Sequence, residues 1–209
     1  MPFVLHPRGV RRLGRLTALL AAAVLGLPAV ASAASCPPQA TTTPFAQWGD
    51  AGSYFPAPSG NFEAPLSSSG WIVTNGSRTL GNEPFHVGGG SDSYSLTIGD
   101  GGVAISPAFC FDESMPYVRF FAHALGRAGS LHVRLAVLSA NGPVSFPFGR
   151  VDSLPAASMP RWAPTGQLSL TNGPAAADKP GDQARLVFDV AGPSSWQIDD
   201  IYVDPYRMG

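Results

Sequence analysis

Trp196-Gln197-Ile198-Asp199-Asp200-Ile201-Tyr202-Val203-Asp204-Pro205 is a strand by composition. Aromatic and β-branched residues fill it, Gly192-Pro193-Ser194-Ser195 precedes it and Asp204-Pro205 closes it. Two adjacent carboxylates nevertheless sit inside. On a two-residue period Asp199 shares a face with Ile201 and Val203, the natural core side. A carboxylate on a core face is costly unless something pairs with it, and a bound cation is one such partner. The stretch reads as a buried strand with an acidic position built into it.

The same texture runs outward from there. Strands are predicted at residues 71–74, 94–98, 103–106, 117–124, 130–138, 144–149, 167–170, 185–190 and 196–203. Asp100-Gly101-Gly102 and Asn141-Gly142-Pro143 read as turns between them. The clearest alternation sets Leu131, Val133, Leu135 and Val137 against His132, Arg134, Ala136 and Ser139. No helical period is sustained anywhere, and Gly and Pro are dense. Many short strands without βαβ spacing predict an all-β domain, an antiparallel β-sandwich.

The first 33 residues are set apart. Arg8, Arg11, Arg12 and Arg15 precede the apolar run from Leu16 to Val30, and Ala31-Ser32-Ala33 supplies small residues for cleavage. This predicts a secretory signal peptide over 1–33, with Arg11-Arg12 leaving the twin-arginine route open. Residues 34–47 form a Pro/Thr-rich lead-in, and 48–209 the domain. Of 13 basic residues, four arginines leave with the leader, so nine face 14 acidic residues, with Lys179 the single lysine. That balance argues against nucleic acid and anionic membrane as partners, and no membrane span is expected in the mature chain. Cys36 and Cys110 are the two cysteines, and an exported pair is read as a disulfide. A lipid-modified Cys36 is the alternative, because small residues precede it.

Gly60-Asn61-Phe62-Glu63, Gly70-Trp71, Ser93-Tyr94-Ser95-Leu96-Thr97-Ile98 and the final Trp196-to-Val203 run share an order with one family. Over residues 48–206 the chain resembles galactose-binding-domain-like jelly rolls. Among them it is similar to secreted carbohydrate-binding modules of xylanases and cellulases, which begin Asn-Gly-x-Phe-Glu and end Ile-Asp-Asp-Val. It also looks like exported actinobacterial proteins sharing Trp-Gly-Asp, Gly-Asn-Glu-Pro-Phe and Ile-Asp-Asp-x-Tyr-Val-Asp-Pro. Gly60-Asn61 inverts the family's Asn-Gly, and the family's sugar-stacking rings sit at variable positions. The resemblance implies a jelly-roll fold and a structural Ca²⁺ held by an early Glu and a late Asp. Glu63 and Asp199 match those positions, with Asp200 as the neighbour able to substitute. The alternative is that these carboxylates cap turns or pair with Arg185 or Arg207.

A ligand face is expected on the strands at 117–124 and 130–138. Arg119, Phe121 and His123 alternate with Val118, Phe120 and Ala122, while His132 and Arg134 alternate with Leu131, Val133 and Leu135. If the two strands are neighbours, one face gathers four Arg and His donors and an aromatic suited to stacking on sugars. An ordinary solvated face is the competing account. Trp162, between Pro160-Arg161 and Pro164, is a loop-borne ring that either stacks on sugar or covers a sheet edge. The loop over 80–90 carries three consecutive glycines but no following helix, so it is not a phosphate cradle.

No Gly-x-Ser-x-Gly, His-Glu-x-x-His or Walker loop occurs, and Glu83 and Glu113 are merely conceivable as a glycosidase pair. The sequence thus predicts a secreted, monomeric, non-catalytic β-sandwich that binds carbohydrate or a cell-envelope component, with structural Ca²⁺. An exported protein-interaction domain without sugar affinity, or a small glycoside-processing enzyme, are the other classes.

Overall fold

The computed structural model describes residues 36–111, 115, 117–138, 152–169 and 182–205. The chain parts into two units, Met1–Ser32 and Ala33–Gly209, and all described residues belong to the second. The strand expected at 144–149, the Asn141-Gly142-Pro143 turn, Glu113 and Arg207 lie outside the described residues.

Among the described residues there are eleven strands: β1 (Phe55–Pro56), β2 (Ile72–Leu80), β3 (Tyr94–Ile105), β4 (Phe109–Phe111), β5 (Tyr117–Ala124), β6 (Ser130–Leu138), β7 (Asp152–Pro155), β8 (Ala163–Pro164), β9 (Leu168–Ser169), β10 (Asp182–Ala191) and β11 (Trp196–Val203). Every pairing is antiparallel, and the order is β7-β6-β10-β3-β11-β5-β8. The sheet curls at β3 into a jelly-roll β-sandwich. The first half of β3, Leu96 to Ile98, pairs β11, and its second half, Val103 to Ile105, pairs β10.

Asp100-Gly101-Gly102 is therefore a corner rather than a hairpin turn. The flanking segments belong to one continuous strand that leaves one sheet for the other. Gly101 takes φ +66°, and a Cβ on Gly102 would stand 2.6 Å from the Asn75 carbonyl, so the corner needs glycine at both places.

The core lies between the two halves. Leu131, Val133 and Leu135 of β6 and Leu186 and Phe188 of β10 face Val118, Phe120 and Ala122 of β5 and Trp196 and Ile198 of β11, all buried. One register shift decides the placement of the acidic pair. Asp199 pairs with Phe121 and Tyr202 with Arg119, so three steps on β11 match two on β5. The extra residue is a β-bulge, with Asp200 at φ +45°. The bulge reverses the phase of the strand. Ile201 and Val203 rejoin Trp196 and Ile198 in the core, while Asp199 points outward with Phe121. The expected core-side placement of Asp199 is corrected in this respect. Its burial, complete in the structure, comes from a loop laid over the outer face.

That outer face supports a second, smaller core of Phe45, Tyr54, Phe121 and Tyr202. Phe45 is fully buried, and Thr42 pairs with Tyr54, so the fold begins inside the stretch read as a lead-in. Cys36 and Cys110 form a disulfide across 74 residues of sequence. Closing a loop of that size is worth about 4 kcal/mol in the chain-entropy model. The double variant Cys36→Ser/Cys110→Ser is expected to melt roughly 10 °C lower, read by calorimetry under non-reducing conditions. An unchanged melting temperature would mean that the tail contributes nothing to holding the second core closed.

Candidate functional site

Outer-face residues of β5 meet two different fates. Arg119 and Phe121 are buried, whereas His123 is half-buried. Phe121 stacks on Phe45 at 5.6 Å and meets Trp48 at 5.3 Å. The Arg119 guanidinium lies 4.1 Å from the centre of the Phe45 ring and pairs with Asp50. Its Nε and Nη2 donate to the Thr165 carbonyl at 2.9 and 2.7 Å. Burial alone would raise the Asp50 pKa, but hydrogen bonds from Tyr54 and the Gly52 amide, with Arg119, bring it below the ordinary value. Arg119 is a structural cation joining three segments. Arg119→Ala leaves Asp50 without its cation, and a loss of about 3 kcal/mol in urea unfolding is expected. An effect under 1 kcal/mol would show that the pair behaves as a surface one.

The remaining pair of the expected ligand face stands elsewhere. β6 is separated from β5 by β10, β3 and β11, so His132 and Arg134 do not share a surface with Arg119 and Phe121. Both are engaged by Asp189 of β10, which forms an ion pair with Arg134 at 2.8 Å and lies 3.2 Å from His132 Nδ1. The strand-neighbour premise fails because β10, distant in sequence, inserts beside β6 along its whole length.

What the structure does bring together is a row of part-exposed rings along β5. Trp162, carried next to β8, sits 5.9 Å from His123. Trp48 covers Phe121 and meets Phe85 edge-on at 5.0 Å. Phe85 is 40% exposed, a large value for a phenylalanine already packed against two rings. Half-buried Gln197 lies opposite His123 in register, adding a polar group at one end. His123 and Trp162 were visible as candidates in the sequence. Trp48 and Phe85 were not, because each is distant from β5 in sequence and reaches the row through a loop.

The loop that delivers Phe85, residues 81–93, also encloses the acidic cluster. Glu83 is fully buried, and its carboxylate accepts the Phe85 amide at 2.5 Å and the Val87 amide at 2.6 Å. Asp199 accepts the amides of Glu83 and Asp200 at 3.2 and 2.9 Å. Asp200 accepts Gly88 N–H at 2.7 Å. Glu63 is half-buried, and its Oε1 accepts the amides of Ser93 and Tyr94, both at 2.8 Å. Burial, reinforced by the charges of Asp200 and Glu83, pushes the Asp199 pKa up to about 9. Burial also raises Asp200 to about 7, against the Gly88 hydrogen bond and with Glu83 and Asp92 adding to the rise. Asp92 is raised by burial and by Glu63.

Asp92 Oδ2 is buried and has no hydrogen-bond partner among the described residues. A Cβ placed on Gly88 would stand 2.7 Å from that oxygen and closer still to Asp200 Oδ1. Two hard carboxyl oxygens thus flank one point beside an exposed glycine. Among the described residues no three His, Cys, Asp or Glu side chains converge as a ready metal cage. A cleft of about 680 Å³ between residues 42–44 and 56–61 opens onto Gly88 and Asp200 and gives this point a route to solvent.

No sequence-family model and no curated protein sequence matches the chain. Several solved structures are similar to it. A family 11 carbohydrate-binding module from Clostridium thermocellum, solved with a β-1,3-1,4-mixed-linked tetrasaccharide, is 15% identical. It aligns over 71% of this chain and 95% of its own, with a TM-score of 0.44. The xylan-binding domain CBM22-1 of Paenibacillus barcinonensis Xyn10C is 11% identical over 71% and 93%, TM-score 0.44. TmCBM61, solved with β-1,4-galactotriose, is 13% identical over 69% and 94%, TM-score 0.44. At these scores the superpositions are loose, and the site stands on its own geometry.

Proposed function

We propose that the chain is an exported, non-catalytic module that binds a polysaccharide along the ring row Phe85–Trp48–His123–Trp162. The observation that carries this reading is a line of part-exposed rings that loops lay along β5, with Gln197 and His123 supplying polar partners. Ring faces stack on the C–H faces of sugars, and the adjacent amide and imidazole bond hydroxyls. The disulfide supports an oxidising compartment and hence export. Among the described residues no helix is long and apolar enough to cross a membrane.

Calcium belongs to the same proposal. The orphaned Asp92 Oδ2 and the facing Asp200 Oδ1 suit an oxygen-loving divalent cation, so these two residues would hold it, with Asp199, Glu83 and Glu63 as the surrounding charge. When bound, Ca²⁺ supplies positive charge that buried carboxylates otherwise lack. Glu63 and Asp199 act as anchors for backbone amides in this arrangement.

The test is a retention screen of residues 34–209 on insoluble polysaccharides and a soluble glycan panel, with and without calcium. Selective retention, lost in Phe85→Ala/Trp162→Ala, is the expected result. Failure of a folded, calcium-loaded sample on every glycan would move the reading to an envelope protein-interaction domain.

A further inference from the structure

His123 and Trp162 also stand at the end of a second row, which crosses the strands. Ser77 of β2 pairs with Thr97 of β3, Thr97 with Gln197 of β11, and Gln197 with His123 of β5. Residues paired in register share a face, and the next residues along these strands, Leu96, Ile198 and Ala122, belong to the core. The row therefore points outward. With strands about 4.8 Å apart, it runs roughly 14 Å from Ser77 to His123, and Trp162 continues it beyond β5. Ser77 is exposed, and Thr97, Gln197 and His123 are half-buried. The next outward residues on β3, β11 and β5 are Ser95, Asp199 and Phe121, all fully buried. The loop over 81–93 lies on Asp199, and Trp48 and Phe85 lie on Phe121. The row is thus an open floor, and the Phe85–Trp48 rings stand as a wall beside it.

The floor contains no Lys, Arg, Asp or Glu, the side chains that ordinarily cover a merely solvated face. Arg78, between Ser77 and Thr79, turns away and donates to the Phe62 and Glu63 carbonyls at 2.6 and 2.7 Å. Thr79 Oγ1 lies 2.8 Å from Thr97 Oγ1 and 3.5 Å from Ser77 Oγ, so these hydroxyls fix one another's directions. The Gln197 side chain makes no hydrogen bond among the described residues, which leaves its amide donors and acceptor to a ligand.

We propose that this row is the floor of the ligand site and selects a neutral glycan, with Gln197 and Thr97 as specificity-determining residues. The proposal rests on the ring-row reading above and adds its substrate class. A sugar stacked on Trp162 or against the Phe85–Trp48 wall turns its hydroxyl edge to the floor. There Ser77, Thr97 and the Gln197 amide both donate and accept, which matches hydroxyls that do the same. A uronate or sulfate laid on the floor gives up water without meeting a cation, so its charge is a net cost.

Affinity electrophoresis and titration calorimetry test this with a mixed-linkage β-glucan, an arabinoxylan and a galactomannan as neutral probes and polygalacturonate as the charged one. Binding of a neutral probe but not of polygalacturonate is expected. Gln197→Ala and Thr97→Val should each weaken that binding roughly fivefold to tenfold, the worth of one lost hydrogen bond. Both substitutions lie outside the core, so melting temperatures should hold, and His132→Ala on the other sheet should bind like wild type. Unchanged affinity in the Gln197→Ala/Thr97→Val double variant, with loss in Phe85→Ala/Trp162→Ala, would overturn the floor and leave the ring row standing. The reverse pattern would keep the floor and sink the ring row. Polygalacturonate bound as tightly as the best neutral probe would overturn the neutral class, and binding of no probe would overturn both readings.

Discussion

Stripped of calcium, the protein is expected to lose stability steadily as pH rises from about 4 to about 9, and added calcium should abolish most of that loss. Asp199 and Asp200 carry pKa values of about 9 and about 7 against an ordinary 3.8. An acid whose pKa rises on folding stabilises the fold while protonated. The contribution is complete below the unfolded value and is lost as pH climbs through the folded ones. For Asp200 alone a rise from 3.8 to about 7 corresponds to about 4 kcal/mol, or roughly 10 °C in melting temperature. Asp199 extends the decline to higher pH. A cation neutralises the cluster without a proton, so the calcium-loaded protein should show a nearly flat profile. Asp200→Asn should remove its own share of the decline in chelator, leave the share that burial of Asp199 causes, and lose the calcium effect. Calorimetry across this range in chelator and in calcium decides it, and two parallel curves would contradict the cation site.

The second large effect concerns the rings. Phe85→Ala and Trp162→Ala each remove an exposed stacking surface without opening the sandwich core. Truncating an aromatic anchor at a binding face costs about 2 kcal/mol, some 30-fold in affinity. The double variant should lose roughly 100-fold or more for any retained polysaccharide while keeping its melting temperature within a few degrees. Arg119→Ala is the contrast: its effect should fall on stability, because its side chain is buried beneath the row. Should Arg119→Ala destroy binding in a fully stable protein, the row would have been assigned to the wrong part of β5.

Much of the fold was legible in local pattern. β5, β6 and β11 were read at their full extents, because period-two alternation survives wherever one face is packed. The corner in β3 was not, since Asp-Gly-Gly has the same composition whether a chain reverses or switches sheets. The phase of Asp199 was misread for a related reason. A bulge inserts one residue without any mark in the sequence beyond tolerance for positive φ, which Asp200 provides. The site was legible in part. His123 and Trp162 were named and meet, and Asp199 and Asp200 were recognised as anomalous. Phe85 and Asp92 were hidden, and Glu83 was noticed only as half of a conceivable glycosidase pair, because a loop's destination depends on tertiary contacts that no periodicity reports. Phe121 and Arg119 have the composition of a ligand face, and only the 42–54 segment laid over them makes them a core.

A sugar bound along the ring row would touch the two part-exposed indoles, Trp48 and Trp162. Indole N–H resonances in a proton–nitrogen NMR spectrum read this directly, with the four tryptophans as internal markers. On addition of a retained glycan, the signals of Trp48 and Trp162 should shift while those of Trp71 and Trp196, buried in the core, hold still. Glycan binding that leaves Trp48 and Trp162 unmoved would contradict the assignment.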